Sequence, residues 1–215
     1  MRLPILLLVA CSLLAGQESS VTWTFDNLEQ IGGHPVEVRG DPRVIETPEG
    51  KAIAFDGVDD ALFLDVHPLA GAEAFTWEVV FRPDSGGAHE QRFFHLQEEG
   101  STTRLLFETR LVEGGWYLDA FANSGGSKAL MAREKLHPLD RWYHIAMLYD
   151  GEEYRSYVNG ELQTSAPLAL EPQGEGRTSV GVRINLVDYF KGAIRWARFT
   201  RRALEPAEFL ISVKN

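Results

Sequence analysis

The chain has 215 residues, 44% hydrophobic and 24% charged, and its 12 Phe, 5 Trp and 6 Tyr are enough to fill one sizeable core. Its net charge of −10 excludes a nucleic-acid backbone as the expected partner, because that binding needs clustered Lys and Arg, and the densest basic pair here is Arg201-Arg202. Cys11 is the single cysteine, so no intrachain disulfide can form, and an exported form must be held by its core or by a metal.

Residues 1–16 carry one positive charge, at Arg2, and an apolar run from Leu3 to Ala15; polar residues 17–20 follow as a short linker. This is the pattern of an export signal, and it is too short to span a bilayer. Leu8-Val9-Ala10-Cys11 is also similar to the lipobox of bacterial lipoproteins. Two routes stay open: lipidation at Cys11, the one predicted membrane contact, or plain secretion with cleavage between Ser12 and Gln17. Both predict an exported protein, secreted, periplasmic or lipid-anchored at the cell envelope.

From 21 to 215 the apolar pattern is mostly of period two, and turn signals recur about every 8 to 15 residues, which predicts one all-β, two-sheet antiparallel sandwich. Lys51 to Phe55 and Ala61 to Val66 flank the stretch AFDGVDD, read as a hairpin turned at Asp56-Gly57. Phe75, Trp77, Val79 and Phe81 alternate with Thr76, Glu78, Val80 and Arg82, so the first set points inward. In the next clear strand Leu105, Phe107 and Leu111 point inward, while Leu106, Glu108 and Arg110 face away. Trp142 to Tyr149 is apolar on both faces and predicts a strand covered on both sides. Asn159-Gly160 suits the positive φ of a tight hairpin. The one helical candidate is Glu205 to Leu210, with Pro206 in its first turn.

Trp142-Tyr143-His144-Ile145-Ala146-Met147-Leu148-Tyr149-Asp150-Gly151 followed by Tyr157-Val158-Asn159-Gly160 resembles the paired strands of laminin-G-like domains, in the concanavalin A-like lectin and glucanase superfamily. Phe55-Asp56-Gly57-Val58-Asp59-Asp60, Phe75 to Pro83, Phe190 to Ile194 and Arg202-Ala203-Leu204 resemble further segments of that family in the same order. The resemblance implies a jelly roll whose faces or edge loops bind sugars or other ligands in many members. It also implies glycosidase or lyase cousins, so the fold does not fix the function.

Relatives place calcium between the Asp56 loop, an acid in the first strand and an acid in the closing segment. The resemblance therefore makes Asp26, Asp56 and Asp60 candidates for a structural calcium. Arg195 stands where the closing acid is expected, and a guanidinium there would neutralise the loop instead. Catalytic readings are weaker. Glu78 and Glu108 lie on polar strand faces and could be neighbours, but Arg82 and Arg110 nearby point to a cross-strand charge network instead of paired acids. Tyr189 with His95 is a faint echo of jelly-roll alginate lyases. A non-catalytic carbohydrate-binding or adhesion module is the reading left, with Arg82, Arg110, Tyr117, Asp119 and His144 expected to meet on one sheet face as the ligand site. A polysaccharide or surface glycan is the expected partner, and a protein–protein module is the remaining alternative.

Overall fold

The computed structural model describes residues 20–211 and 213; the export signal, Cys11 and most of the 17–20 linker lie outside them. The first strands are β1 (Ser20–Thr24), β2 (Gln30–Ile31), β3 (His34–Pro35), β4 (Glu37–Arg39), β5 (Arg43–Thr47) and β6 (Gly50–Asp56). Next come β7 (Ala61–Leu64), β8 (Phe75–Pro83), β9 (Glu90–Glu98), β10 (Arg104–Val112), β11 (Gly115–Ser124) and β12 (Gly126–Met131). The last are β13 (Tyr143–Tyr149), β14 (Glu153–Val158), β15 (Glu161–Pro167), β16 (Gly176–Val180) and β17 (Lys191–Thr200). One sheet of 8 strands runs β15-β14-β13-β8-β17-β6-β5, with β1 also on β17; a second, of 7, runs β12-β11-β10-β9-β16-β7-β4. All pairings in both sheets are antiparallel, and together they make the two-sheet sandwich that the strand rhythm predicts, in the jelly-roll form that the resemblance implies.

Aromatic side chains from both sheets fill the space between them. Trp77 of β8 meets Phe94 at 5.0 Å edge-on, Phe107 at 4.6 Å and Phe199 at 5.7 Å between ring centroids. Phe81 stacks on Phe93 at 4.5 Å and meets Trp116 edge-on at 5.2 Å. Such pairs contribute roughly 0.5–1.5 kcal/mol each beyond their buried area, which suits a domain with no disulfide.

The sequence places Phe93 and Phe94 side by side, and strict alternation would send one of them outward. Instead the β9–β10 register slips between Phe107 and Glu108, and both phenylalanines are fully buried in the core. The bulge resets the alternation, so Arg92 before it and His95 after it share the outer face.

AFDGVDD is not a hairpin: β6 pairs in the 8-stranded sheet and β7 in the 7-stranded one, so the stretch carries the chain from one sheet to the other. Asn159 and Gly160, at φ 50 and 80, do turn the β14–β15 hairpin. The helical candidate is one 3-10 turn, Pro206–Glu208, with the Glu205 N–H donating to the Glu208 carboxylate at 2.8 Å.

Residues 181–190 return from β16 to β17 across the outer face of the 7-stranded sheet. Gly181 donates to the Phe93 carbonyl at 2.8 Å, and Phe190 donates to the Gly181 carbonyl at 2.8 Å. Gly181 sits at φ +84, and a Cβ there would stand 2.4 Å from Phe55 Cδ1. Gly181→Ala should therefore lower unfolding free energy by about 2–3 kcal/mol, through backbone strain and overpacking together. Urea denaturation checks this; a loss below about 0.5 kcal/mol would mean that the segment leaves its seat at little cost.

Candidate ligand-binding face

The outer face of the 7-stranded sheet is built by three neighbouring strands. The register sets Glu108 opposite both Arg92 and Asp119, and Arg110 opposite both Glu90 and Tyr117, so these side chains line one face. Arg110 Nη2 donates to Glu108 Oε2 and to Asp119 Oδ2, each at 2.7 Å, and Nη1 pairs with Glu90. Arg92 pairs with Glu90 and with Asp188 of the covering segment, and lies 3.5 Å from Glu108.

Four carboxylates thus share two guanidiniums, a formal surplus of two negative charges when all are ionised. Glu108 is 4% exposed and bears the consequence. Burial, and then the neighbouring Asp119, push its carboxyl up to about 7 against the pull of Arg92 and Arg110. Asp119 is raised as well, first by burial, although the Arg110 hydrogen bond pulls it down. Arg110 is itself raised, because its three acids outweigh the burial that opposes its charge. Arg110 stays charged, and Glu108 keeps its proton until the pH rises through about 7.

The face continues into a cleft of about 780 Å³ lined by Asp65, His67, Glu99, Glu175 and Arg177. A neighbouring depression of about 320 Å³ shares Asp65 and Arg177 and reaches Phe63. Arg177 Nε donates to Asp65 Oδ1 at 2.6 Å, and its guanidinium lies over the Phe63 ring, 6.0 Å from the centroid. A planar guanidinium, a carboxylate and an aromatic face together are suited to hydroxyl-bearing rings.

The profile of the concanavalin A-like lectin/glucanases superfamily, laminin-G type, matches residues 56–209. The chain belongs to this superfamily. Among curated proteins none matches its sequence. Among solved structures it is similar to domain 4 of the extracellular arabinanase AbnA from Geobacillus stearothermophilus, solved with arabinotriose. The TM-score is 0.62 at 20% identity, over 87% of this chain and 94% of that one. It is also similar to the binding domain of a paraclostridial mosquitocidal protein, TM-score 0.65 at 12% identity, over 87% of this chain and 50% of that one. The receptor-binding domain of botulinum neurotoxin D gives TM-score 0.63 at 13% identity, again over 87% and 50%. The chain spans about half the length of both toxin domains. At these identities the likeness is one of fold.

On this superfamily frame the five expected ligand residues divide. Arg110, Tyr117 and Asp119 come together as described, but Arg82 and His144 lie on the outer face of the opposite sheet. Arg82 pairs with Asp84 at 2.6 Å and lies over Trp142. His144 is fully buried, with Nε2 2.9 Å from Glu78 Oε1. Glu78 is fully buried too; burial alone would raise its carboxyl, but His144, Arg198 and the Leu210 N–H, which donates at 2.8 Å, hold it below the usual range. Strand alternation shows which face a residue takes, but not which sheet the strand joins. Glu78 and Glu108 therefore lie on opposite outer faces and cannot form an acid pair. His95, the lyase candidate, has no exposed surface, and burial and then Arg183, Arg104 and Arg92 hold it down at about 3.

The calcium candidates divide likewise. Asp56, Asp59 and Asp60 each bring an oxygen within 4.8 Å of the others, whereas the exposed Asp26 accepts from Asn27 Nδ2 and stands outside that group. Asp60 Oδ1 accepts from the Asp41 N–H at 2.7 Å and Oδ2 from the Asp56 N–H at 2.9 Å. Asp56 Oδ1 accepts from the Val58 and Asp59 N–H groups at 2.7 and 3.3 Å. These oxygens already close the crossover through backbone donors, which fits poorly with a cation that wants six to eight oxygen ligands. Nor does Arg195 neutralise the loop as expected. It pairs with Glu49 at 2.5 Å and lies over Trp142, at the other end of β6 from Asp56.

Two outcomes follow from this geometry. Asp60→Ala should cost about 1–2 kcal/mol, from the part-buried Asp41 and Asp56 N–H groups losing their carboxylate acceptor, and the wild-type melting temperature should be the same in calcium and in chelator; a rise of several degrees with calcium would overturn the backbone-closed reading. The second concerns Glu108, whose folded pKa of about 7 stands above the ordinary 4.5. Its contribution is full below pH 4.5 and lost as pH rises through 7, so Glu108→Gln should match wild type near pH 5 and exceed it by about 1–2 kcal/mol near pH 8. Urea titrations at both pH values check this, and a difference independent of pH would put the proton elsewhere.

Proposed function

We propose that the chain is an exported, non-catalytic binding module that takes a glycan along the outer face of the 7-stranded sheet, toward the Arg177–Asp65 cleft. The observation that carries this reading is the state of the acids on that face: Glu90, Glu108 and Asp119 are each held by Arg110, and Glu108 and Asp119 are almost wholly buried. A glycosidase needs two carboxyls that reach the sugar, one to donate a proton and one to attack or to activate water. Here the ladder acids are spent within the sheet, and of the carboxylates that line the open cleft, Asp65, Glu99 and Glu175, the first is paired with Arg177.

The arabinanase domain supports the reading from outside: it is matched over nearly its whole length and was solved with a trisaccharide. Adhesion to a glycosylated surface needs the same face. The export pattern of residues 1–16 and the lipobox-like Cys11 suit an envelope location.

A glycan array, followed by calorimetry on the strongest hit, tests the proposal. The expected result is binding without release of reducing ends or unsaturated sugar, weakened about tenfold or more by Arg177→Ala, a planar hydrogen-bonding group lost. No hit on the array would sink the reading, and capture of an envelope protein by the same face without any sugar would replace it with the protein–protein alternative.

A further inference from the structure

Donors outnumber acceptors at one place on the face. Arg92, His95 and Arg104 all point outward there, because the β9–β10 register sets Glu108 opposite Arg92, Leu106 opposite His95 and Arg104 opposite Gln97. His95 Nδ1 accepts from the Ile184 N–H at 3.1 Å, which leaves the ring proton on Nε2. That Nε2–H is buried and has no acceptor. The Nε–H of Arg104 is buried without a hydrogen-bond acceptor as well, whereas that of Arg92 faces Glu108 Oε1 at 3.5 Å. Two orphan donors on adjacent strands, His95 Nε2–H and Arg104 Nε–H, amount to a missing acceptor, since buried polar groups in folded proteins are almost always paired.

The charges tell the same story. Arg92 is neutralised by Glu90 and Asp188, but Arg104 has no carboxylate partner among the described residues: its Nη1 donates to the Thr102 carbonyl at 2.7 Å, and its guanidinium lies 4.6 Å from the centroid of the half-buried Phe121. Arg183, partly exposed at the start of the covering segment, has no ion-pair partner among the described residues either. After burial, Arg183 is the largest influence lowering the Arg104 guanidinium, so the two cations are close enough to repel. In a chain of net charge −10 these two cations without a carboxylate partner run against the overall charge.

We infer that Arg104 and Arg183, backed by His95, form an anion subsite that selects glycans carrying carboxylate or sulfate groups. This rests on the glycan-binding reading of the same face and names the substrate class. Two guanidinium forks match the two or three oxygens of such a group, and the anion removes the repulsion between them. Phe121 beside them offers a ring to the apolar side of the same sugar.

The test is calorimetry of the full exported chain with polygalacturonate, a sulfated galactan and a neutral arabinan, for wild type, Arg104→Gln, Arg183→Gln and, as a control for total charge, the exposed Arg141→Gln. The expected result is binding of an acidic polymer, weakened about tenfold or more by either subsite substitution and unchanged by Arg141→Gln, with the carboxylate and sulfate arms telling which group is held. Arg104 packs on Phe121, so if Arg104→Gln melts early the partly exposed Arg183→Gln decides alone. Acidic binding that ignores both substitutions overturns the subsite. Binding of the neutral arabinan alone overturns it and leaves the glycan reading standing, whereas binding of none of the three, with no hit on the array, sinks both.

Discussion

The structure turns on the β9 bulge that sends Phe93 and Phe94 into the core together. Phe93 stacks on Phe81 and Phe107, while Phe94 meets Trp77, Trp23 and Phe199, so the two rings connect both sheets at neighbouring points. With no disulfide and no long helix among the described residues, this contact between sheets is what resists unfolding. The same slip decides what the outer face carries. Without it, the alternation that puts Arg92 outward would put His95 inward, and the arginine ladder and the histidine would lie on different sides of the sheet.

The other outer face is spent on packing. Leu204 and Phe209 close over Ala146, Leu148 and Tyr157, and Trp142 packs with Val80, Ala52 and Ala193. Thr76 Oγ1 donates to the Arg202 carbonyl and accepts from the Leu204 N–H, both at 2.9 Å, which pins the chain end across β8. Glu78 is the polar centre of that seal: His144, Arg198 and the Leu210 backbone all meet one carboxylate, and a buried charge with three partners is stable where an unpaired one is not. What stays open on that face is the apolar depression beside Trp196 and Phe209, lined by Thr22, Thr24, Leu210 and Ile211.

Much of this was legible in the sequence, for a physical reason. Side-chain alternation is set by the backbone of a single strand, so Phe75 to Phe81 and Leu105 to Leu111 read correctly from the residues alone, as did the fully buried β13. Which strands share a sheet is set by long-range pairing, and local pattern is silent about it. That is why Arg82 and His144 parted from Arg110, and why Asp56-Gly57, which has the letters of a hairpin, proved a crossing between sheets held by Asp60. Arg104 and Arg183 were overlooked because neither belongs to a motif. The one signal available was the doubled Phe93-Phe94, which breaks the period-two pattern and marks where the outer face changes phase.

Charge on the outer face of the 7-stranded sheet is divided in a way that bears on function. Around Arg110 the acids are in excess and one of them keeps its proton; around Arg104 the cations are in excess and their donors lack acceptors. Arg92 lies between the two regions and touches the acids of the first. In the acid-rich part Arg110 is held by Glu90, Glu108 and Asp119, and Arg92 by Glu90 and Asp188, while Asp119 Oδ1 is left without a partner. The cation-rich part does not close on itself, because its two guanidiniums repel and two buried N–H groups, on His95 and Arg104, have no acceptor. An acceptor from outside would complete it, and on the proposed reading that directional deficit is what would admit an anionic group to a protein of net charge −10.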